Sequence, residues 1–415
     1  MGNLLRGAAV IGQSGGPTAV INQSLAGYVE EATRHSGIIT RVLGMLHGVQ
    51  GMLEEKLVDL AAESRDTLEG VARTPAAALG SVRKKPSAAE CHRLVELFRR
   101  HDIRYFFYIG GNDSAETAQL VESLTRESGH EMRCFHVPKT IDNDLRVTDH
   151  CPGYGSAARF VAHAFQGDDR DNRSLPGVKI NVVMGRHAGW LAAAGTLGRR
   201  SEEDGPHLVY LPERVFEPAA FLADVAEVNR RLGRCLVAVS EGIHDAADTP
   251  FLQVYAERTG SALAGQKDSH GNVQLSGTGA LGDALASLVT AELAIRRVRS
   301  DTFGYLQRSF PADVSPVDAR EAREVGRAAV RAAVSGEHAS GSIAIRRVAG
   351  PAYGAETFVT PLDTVARVTR SMPDEYLAGA NGVAPAFRDY ALPLAGGIEP
   401  MVDLQRVPAT AAVKA

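Results

Sequence analysis

Six runs in this chain, at 8–11, 103–109, 134–137, 178–184, 208–211 and 236–239, are short, rich in Val, Ile, Phe and Tyr, and show no apolar–polar alternation. Alternation would mark a sheet with one wet face, so its absence marks strands buried on both faces. The segments between the runs have helical character, and helical crossovers join strands in parallel. The chain is therefore read as α/β, and at 415 residues with 44% hydrophobic content it is long enough for two cores. In parallel sheets, ligands bind beyond the carboxyl ends of the strands. Those ends carry Gly12-Gln13-Ser14-Gly15-Gly16-Pro17, Gly110-Gly111-Asn112-Asp113, Pro138-Lys139-Thr140-Ile141-Asp142-Asn143-Asp144, Gly185-Arg186 and Glu241-Gly242.

Bulk properties narrow the partners. Lys plus Arg number 45 and Asp plus Glu 49, so the formal charge of -4 gives no general attraction for nucleic acid or an anionic membrane surface. Any anion site must be local. Cys91, Cys134, Cys151 and Cys235 are far apart, form no Cys-x-x-Cys pair and read as free thiols in a reducing compartment. The N-terminus has no secretory core, and the longest apolar stretch, 188–198, is about half of a membrane span. The expectation is a cytoplasmic protein. Residues 245–282 read as an irregular, lid-like insertion, 283–297 as a helix, and 401–415 as a loose tail.

The turn Ser14-Gly15-Gly16 sits between the first strand and a helix expected over 19–34. Glycines there let backbone N–H groups approach a phosphate, although such turns also serve packing alone. Asn112 and Asp113 open another helix and read either as caps or as oxygen ligands for a magnesium–phosphate complex. The segment 138–144 crowds two carboxylates and a lysine at one strand end. Phosphoryl transfer to an alcohol needs a carboxylate near the hydroxyl, a cation on the phosphoryl oxygens and positive charge at the leaving group. This segment supplies those kinds of group.

Thr140-Ile141-Asp142-Asn143-Asp144 is the signature of the 6-phosphofructokinase family, and the chain resembles that family in a whole ordered series. The series runs Ser14-Gly15-Gly16, Leu79-Gly80-Ser81 with Arg83, Gly110-Gly111-Asn112-Asp113, the signature, Met184-Gly185-Arg186, Glu241-Gly242 and Tyr305-Leu306-Gln307-Arg308, spanning about 7–330. The resemblance implies two Rossmann-like three-layer domains with an active-site cleft between them. It divides the chain into a donor-binding domain of 1–150 with about 275–325, and a sugar-phosphate domain of 151–274 with about 326–400.

By the same resemblance Asp142 is the base that takes the proton from the 1-hydroxyl of fructose 6-phosphate, while Asp144 helps organise metal and reacting groups. Thr140, Ile141, Met184, Gly185, Arg186, Glu241, Tyr305, Leu306, Gln307 and Arg308 match sugar-phosphate positions. Arg299 matches an arginine that reaches the sugar phosphate from a neighbouring subunit, which implies a homodimer or higher homo-oligomer. Gly15, Arg83 and Asp113 match donor contacts, and Asn112 a metal position for Mg2+.

Two departures bear on the donor. ATP-using members read Gly-Gly-Asp-Gly, where the last glycine leaves room for the nucleotide α-phosphate, and this chain has Asp113 at that place. Lys139 replaces a glycine and can neutralise the leaving phosphate. Both match pyrophosphate-dependent relatives, so the expected activity is reversible transfer from pyrophosphate to fructose 6-phosphate. The alternatives are an ATP-dependent enzyme and a non-catalytic sugar-phosphate sensor on the same fold. Asn112 stands where relatives have aspartate, and Tyr305 where many have histidine. Gly177 stands where many carry a second cross-subunit arginine, a charge Lys179 is placed to supply.

Overall fold

The computed structural model describes residues 5–84, 86–259, 278–350 and 352–404. The chain forms β1 (Gly7–Gln13), β2 (Ile39–Met45), β3 (Leu57–Asp59), β4 (Ile103–Gly110), β5 (Arg133–Pro138), β6 (Val178–Val183), β7 (Leu208–Tyr210), β8 (Cys235–Ser240), β9 (Val298–Thr302), β10 (Ser340–Arg347) and β11 (Ala355–Thr360). One sheet has the order β11-β10-β5-β4-β1-β2-β3, parallel except at its two outermost pairs. The other has the order β7-β8-β6-β9 and is parallel throughout.

All six apolar runs are strands. β1, β6 and β8 are buried at every position, as non-alternating sequence requires. Apolar layers cover both faces of the larger sheet, one around Tyr28, Phe107 and Val325, the other around Phe98, Phe106 and Met52. The smaller sheet is enclosed likewise by clusters around Phe165 and Trp190 and around Phe216 and Leu285. The result is two layered α/β bodies.

The segments after 275 depart from the expected division. β9 pairs in parallel with β6 and so belongs to the second sheet, whereas β10 pairs with β5 and takes β11 into the first. The helix Pro316–Ser335 carries the chain between them. The later helix Pro385–Leu394 packs against Tyr154 and Trp190 in the second body, so 326–400 is divided between the two. The helix expected at 283–297 spans Ala280–Leu293 and ends at Ala294, whose φ of 52° breaks it. Within 245–282 a helix, Phe251–Thr259, is present, while 260–277 and the last part of the tail lie outside the described residues.

Candidate active site

The carboxyl ends of β1, β4 and β5 meet through their turns. After β1, Gly15 has φ +74°, and its N–H donates to Val82 O at 3.1 Å while its carbonyl accepts from Ser81 Oγ at 2.6 Å. This pins the segment carrying Arg83 to the first turn. After β4, Gly110 O accepts the Lys139 N–H at 2.9 Å and the ring of His136 Nε2 at 2.8 Å. A carbonyl only accepts, so His136 Nε2 carries the proton and Nδ1 accepts from Ser342 Oγ at 2.8 Å. Burial pushes His136 down to about 4, which keeps it neutral in this supporting role.

Lys139 is only 3% exposed, and its Nζ donates to Gly16 O at 2.6 Å. A Cβ on Gly15 would sit 3.4 Å from that Nζ, so the glycine turn and the ammonium line the same space. Burial lowers Lys139 to about 8, Asp142 opposes that shift, and Arg308 and Arg83 add to it. The ammonium is therefore charged at neutral pH but held at a cost.

In the turn after β5, Thr140 Oγ1 accepts from the Asp142 N–H at 3.1 Å. Asn143 adopts φ 55°, which asparagine tolerates better than most side chains. Burial pushes the Asp142 carboxyl above its usual range, opposed first by Lys139 and then by His187, Arg308 and Arg186. Asp144 is pushed up to about 7 by burial and by the adjacent Asp142 charge. Two buried carboxylates, both raised and set among cations, form the kind of site in which one acts as a base near neutral pH.

The second body contributes the ends of β6, β8 and β9. Arg308, on the short helix Leu306–Ser309 after β9, reaches the first body. A Cβ on Gly16 would lie 2.6 Å from its Nη1, so the glycine lets the guanidinium sit against the first turn, and a larger residue would make it shift. Its guanidinium rests 4.4 Å from the Tyr305 ring centroid, and Glu241, buried beyond β8, acts on it electrostatically. Gln307 is buried and holds the turn after β6: its Oε1 accepts from the Met184 N–H at 3.3 Å, and its Nε2 donates to Gly304 O at 2.8 Å.

Gly15, Arg83, Lys139, Asp142, Asp144, Arg186, Glu241 and Arg308 thus belong to one electrostatic neighbourhood. Asp113 lies in the exposed first turn of the helix Asn112–Glu127 that follows β4, and Asn112 Oδ1 accepts its N–H at 3.0 Å. Ile141 is buried in the core, so it shapes the turn from behind, and Leu306 is 65% exposed. Arg299 is exposed on the outermost strand β9, bonded to its own neighbour Val298 O at 2.8 Å. Lys179 is taken up by Asp168 and, at 2.8 Å, by Asp171, so it does not stand as a free replacement charge. Sequence reasoning missed the supports of the signature turn, above all Arg370 and Tyr390. They lie more than two hundred residues further along the chain, and no local pattern marks them.

Among the described residues no group of three or more His, Cys, Asp or Glu side chains is placed to hold a metal ion, and no helix is long and apolar enough to cross a membrane. All four cysteines are buried free thiols.

Glycine turns at strand ends, a buried ammonium, paired carboxylates and arginines meeting from two α/β bodies are groups suited to phosphoryl transfer. The phosphofructokinase family model matches residues 8–333. The pyrophosphate–fructose 6-phosphate 1-phosphotransferase of Rhodospirillum rubrum is 51% identical over 395 residues, covering 95% of each chain. That of Xanthomonas campestris is 39% identical, covering 96% of this chain and 94% of its own. The crystal structure of the pyrophosphate-dependent phosphofructokinase from Marinobacter aquaeolei superposes with a TM-score of 0.82 at 36% identity, covering 97% of this chain and 95% of that one. The chain belongs to the phosphofructokinase family.

Proposed function

We propose that this chain catalyses the reversible, Mg2+-dependent transfer of a phosphoryl group from pyrophosphate to the 1-hydroxyl of fructose 6-phosphate. The observation that carries the reading is the buried Lys139 ammonium, set between the Gly15-Gly16 turn and Asp142. Relatives so named match nearly the whole chain, which supports the same donor and acceptor. In the forward direction the 1-oxygen attacks the terminal phosphorus, its proton passes to Asp142, and the bond from phosphorus to the bridging oxygen breaks. The departing phosphate gains negative charge beside Lys139, which stabilises it more than the intact donor. Arg83 and Gly15 flank the donor, Arg308 spans donor and acceptor, and Arg186, Glu241, Thr140 and the turn at Met184-Gly185 hold the sugar phosphate. Asp113 stands where a nucleotide's α-phosphate would pass and repels it.

Mg2+ takes one or two protein oxygens and fills its remaining positions with water and substrate phosphate. A divalent ion would relieve the repulsion between Asp142 and Asp144. Asp144 and Asn112 would hold the ion, which would neutralise phosphate charge. Arg299, exposed on an outermost strand, serves a neighbouring subunit's sugar site in a homo-oligomer working in the cytoplasm.

The test is a coupled assay of the purified protein with Mg2+ and fructose 6-phosphate, supplied with either pyrophosphate or ATP. Turnover with pyrophosphate, and the reverse reaction from fructose 1,6-bisphosphate and phosphate, is expected. Preference for ATP would overturn the donor assignment.

A further inference from the structure

The turn bearing Asp142 and Asp144 is held from behind by a part of the chain that lies beyond the matched family region of 8–333. The Arg370 N–H donates to Asp144 O at 2.6 Å, and Leu145 and Thr369 form an antiparallel bridge beside it. The Arg370 guanidinium donates to Thr148 O at 2.7 Å, Asn143 O at 2.9 Å and Asp149 O at 3.0 Å. Its carbon lies 4.9 Å from the Trp190 ring centroid. From the other side, Asn143 Nδ2 donates to Tyr390 OH at 2.8 Å, and Tyr390 OH donates to Asp149 O at 2.8 Å. The segment is itself moored to the second body, because Glu213 accepts the N–H of Met372 at 2.9 Å and of Gly189 at 2.9 Å.

We infer that Arg370, backed by Tyr390, is a positioning residue for the reaction, fixing the backbone of Asn143 and Asp144 and thereby the direction in which Asp142 presents its carboxylate. Three carbonyls, of Asn143, Thr148 and Asp149, converge on one planar guanidinium and are shared between its two terminal nitrogens, positions that the single nitrogen of a lysine ammonium does not both fill. Asn143, between the two carboxylates, holds its left-handed φ of 55° under these bonds. Such backbone persists where its surroundings over-determine it. Arg370 bonds the rear of the turn, and its charge also acts on the Asp144 carboxyl, so its loss should disorder the reacting geometry while leaving the sugar-phosphate and donor cations in place.

This inference rests on the phosphoryl-transfer reading, and the wild-type protein assayed alongside separates the two: an inert wild type would end that reading, whereas an active one lets the variants judge Arg370 alone. The variants are Arg370→Met, Arg370→Lys, Tyr390→Phe and, as a control outside the turn, Arg346→Ala. Each is assayed for kcat and for KM of fructose 6-phosphate and pyrophosphate, with circular dichroism to establish folding. Arg370→Met is expected to lose kcat by about tenfold to a hundredfold, the scale of a small misplacement of a reacting group, with both KM values within about threefold of wild type. Arg370→Lys should recover part of kcat, and Arg346→Ala should match wild type. Tyr390→Phe, which removes a single hydroxyl, should lower kcat in the same sense by a smaller factor, and it decides the matter if Arg370→Met does not fold. An unchanged kcat in a folded Arg370→Met or, failing that, in Tyr390→Phe would overturn the inference. So would a loss confined to KM.

Discussion

Replacing Lys139 by methionine should make the protein more stable and nearly inactive. Burial lowers the ammonium from its ordinary 10.5 to about 8. Each pH unit corresponds to about 1.4 kcal/mol, so keeping the charge below pH 8 costs the folded state about 3 kcal/mol. Methionine removes that cost. It also leaves Gly16 O without its 2.6 Å donor, a loss of about 1 kcal/mol, and takes from Asp142 its first compensating cation. The net gain is on the order of 1–2 kcal/mol at pH 7.

The sign of the pH dependence follows from the same shift. Between pH 8 and 10.5 the unfolded wild type binds more protons at Lys139 than the folded one, so its stability rises with pH across that window. The advantage of Lys139→Met should therefore be full below pH 8, vanish at about pH 9 to 9.5 and reverse by about 1–2 kcal/mol as pH approaches 10.5. Urea unfolding of both proteins at several pH values measures it. The pyrophosphate reaction should meanwhile fall by about a hundredfold or more, as for other lost transition-state charges. A variant that is less stable at pH 7, or that keeps kcat within threefold of wild type, would refute the reasoning.

Asp113→Gly should open the α-phosphate space, so ATP becomes a detectable donor in the coupled assay; continued nucleotide rejection by a folded variant would count against the proposed gate. Arg299→Ala and Asp142→Asn, each inactive alone, should regain activity when unfolded and refolded together, because about a quarter of sites in a randomly mixed dimer carry both native residues. Absence of recovery would place Arg299 in its own subunit's site. Because burial raises Asp142, and the base must be ionised, activity should fall on acidification at a pH above the ordinary carboxylate range. A pH–rate profile flat down to pH 5 would contradict that.

The sequence was most readable where burial is complete. β1, β4, β5, β6 and β8 are apolar enough to identify themselves, and their glycine and charged ends lie at the site as parallel-sheet logic requires. β9 reads Val-Arg-Ser-Asp-Thr with only its first residue buried, so no apolar run marks this outermost strand. β11 is half-exposed for the same reason. The exchange of segments between the bodies was hidden because strand pairing, not local composition, decides which sheet β9 and β10 enter. Lys139 and Asp142 stand out in their own strand end, whereas Arg370 and Tyr390 reach the turn only through tertiary bonds.

The most direct test of the active-site assignment is the kinetics of Asp142→Asn with pyrophosphate. If Asp142 removes the proton from the sugar hydroxyl, kcat falls by about a hundredfold to ten-thousandfold while KM for fructose 6-phosphate changes little. A folded Asp142→Asn protein with wild-type kcat would contradict the proposed role of this site.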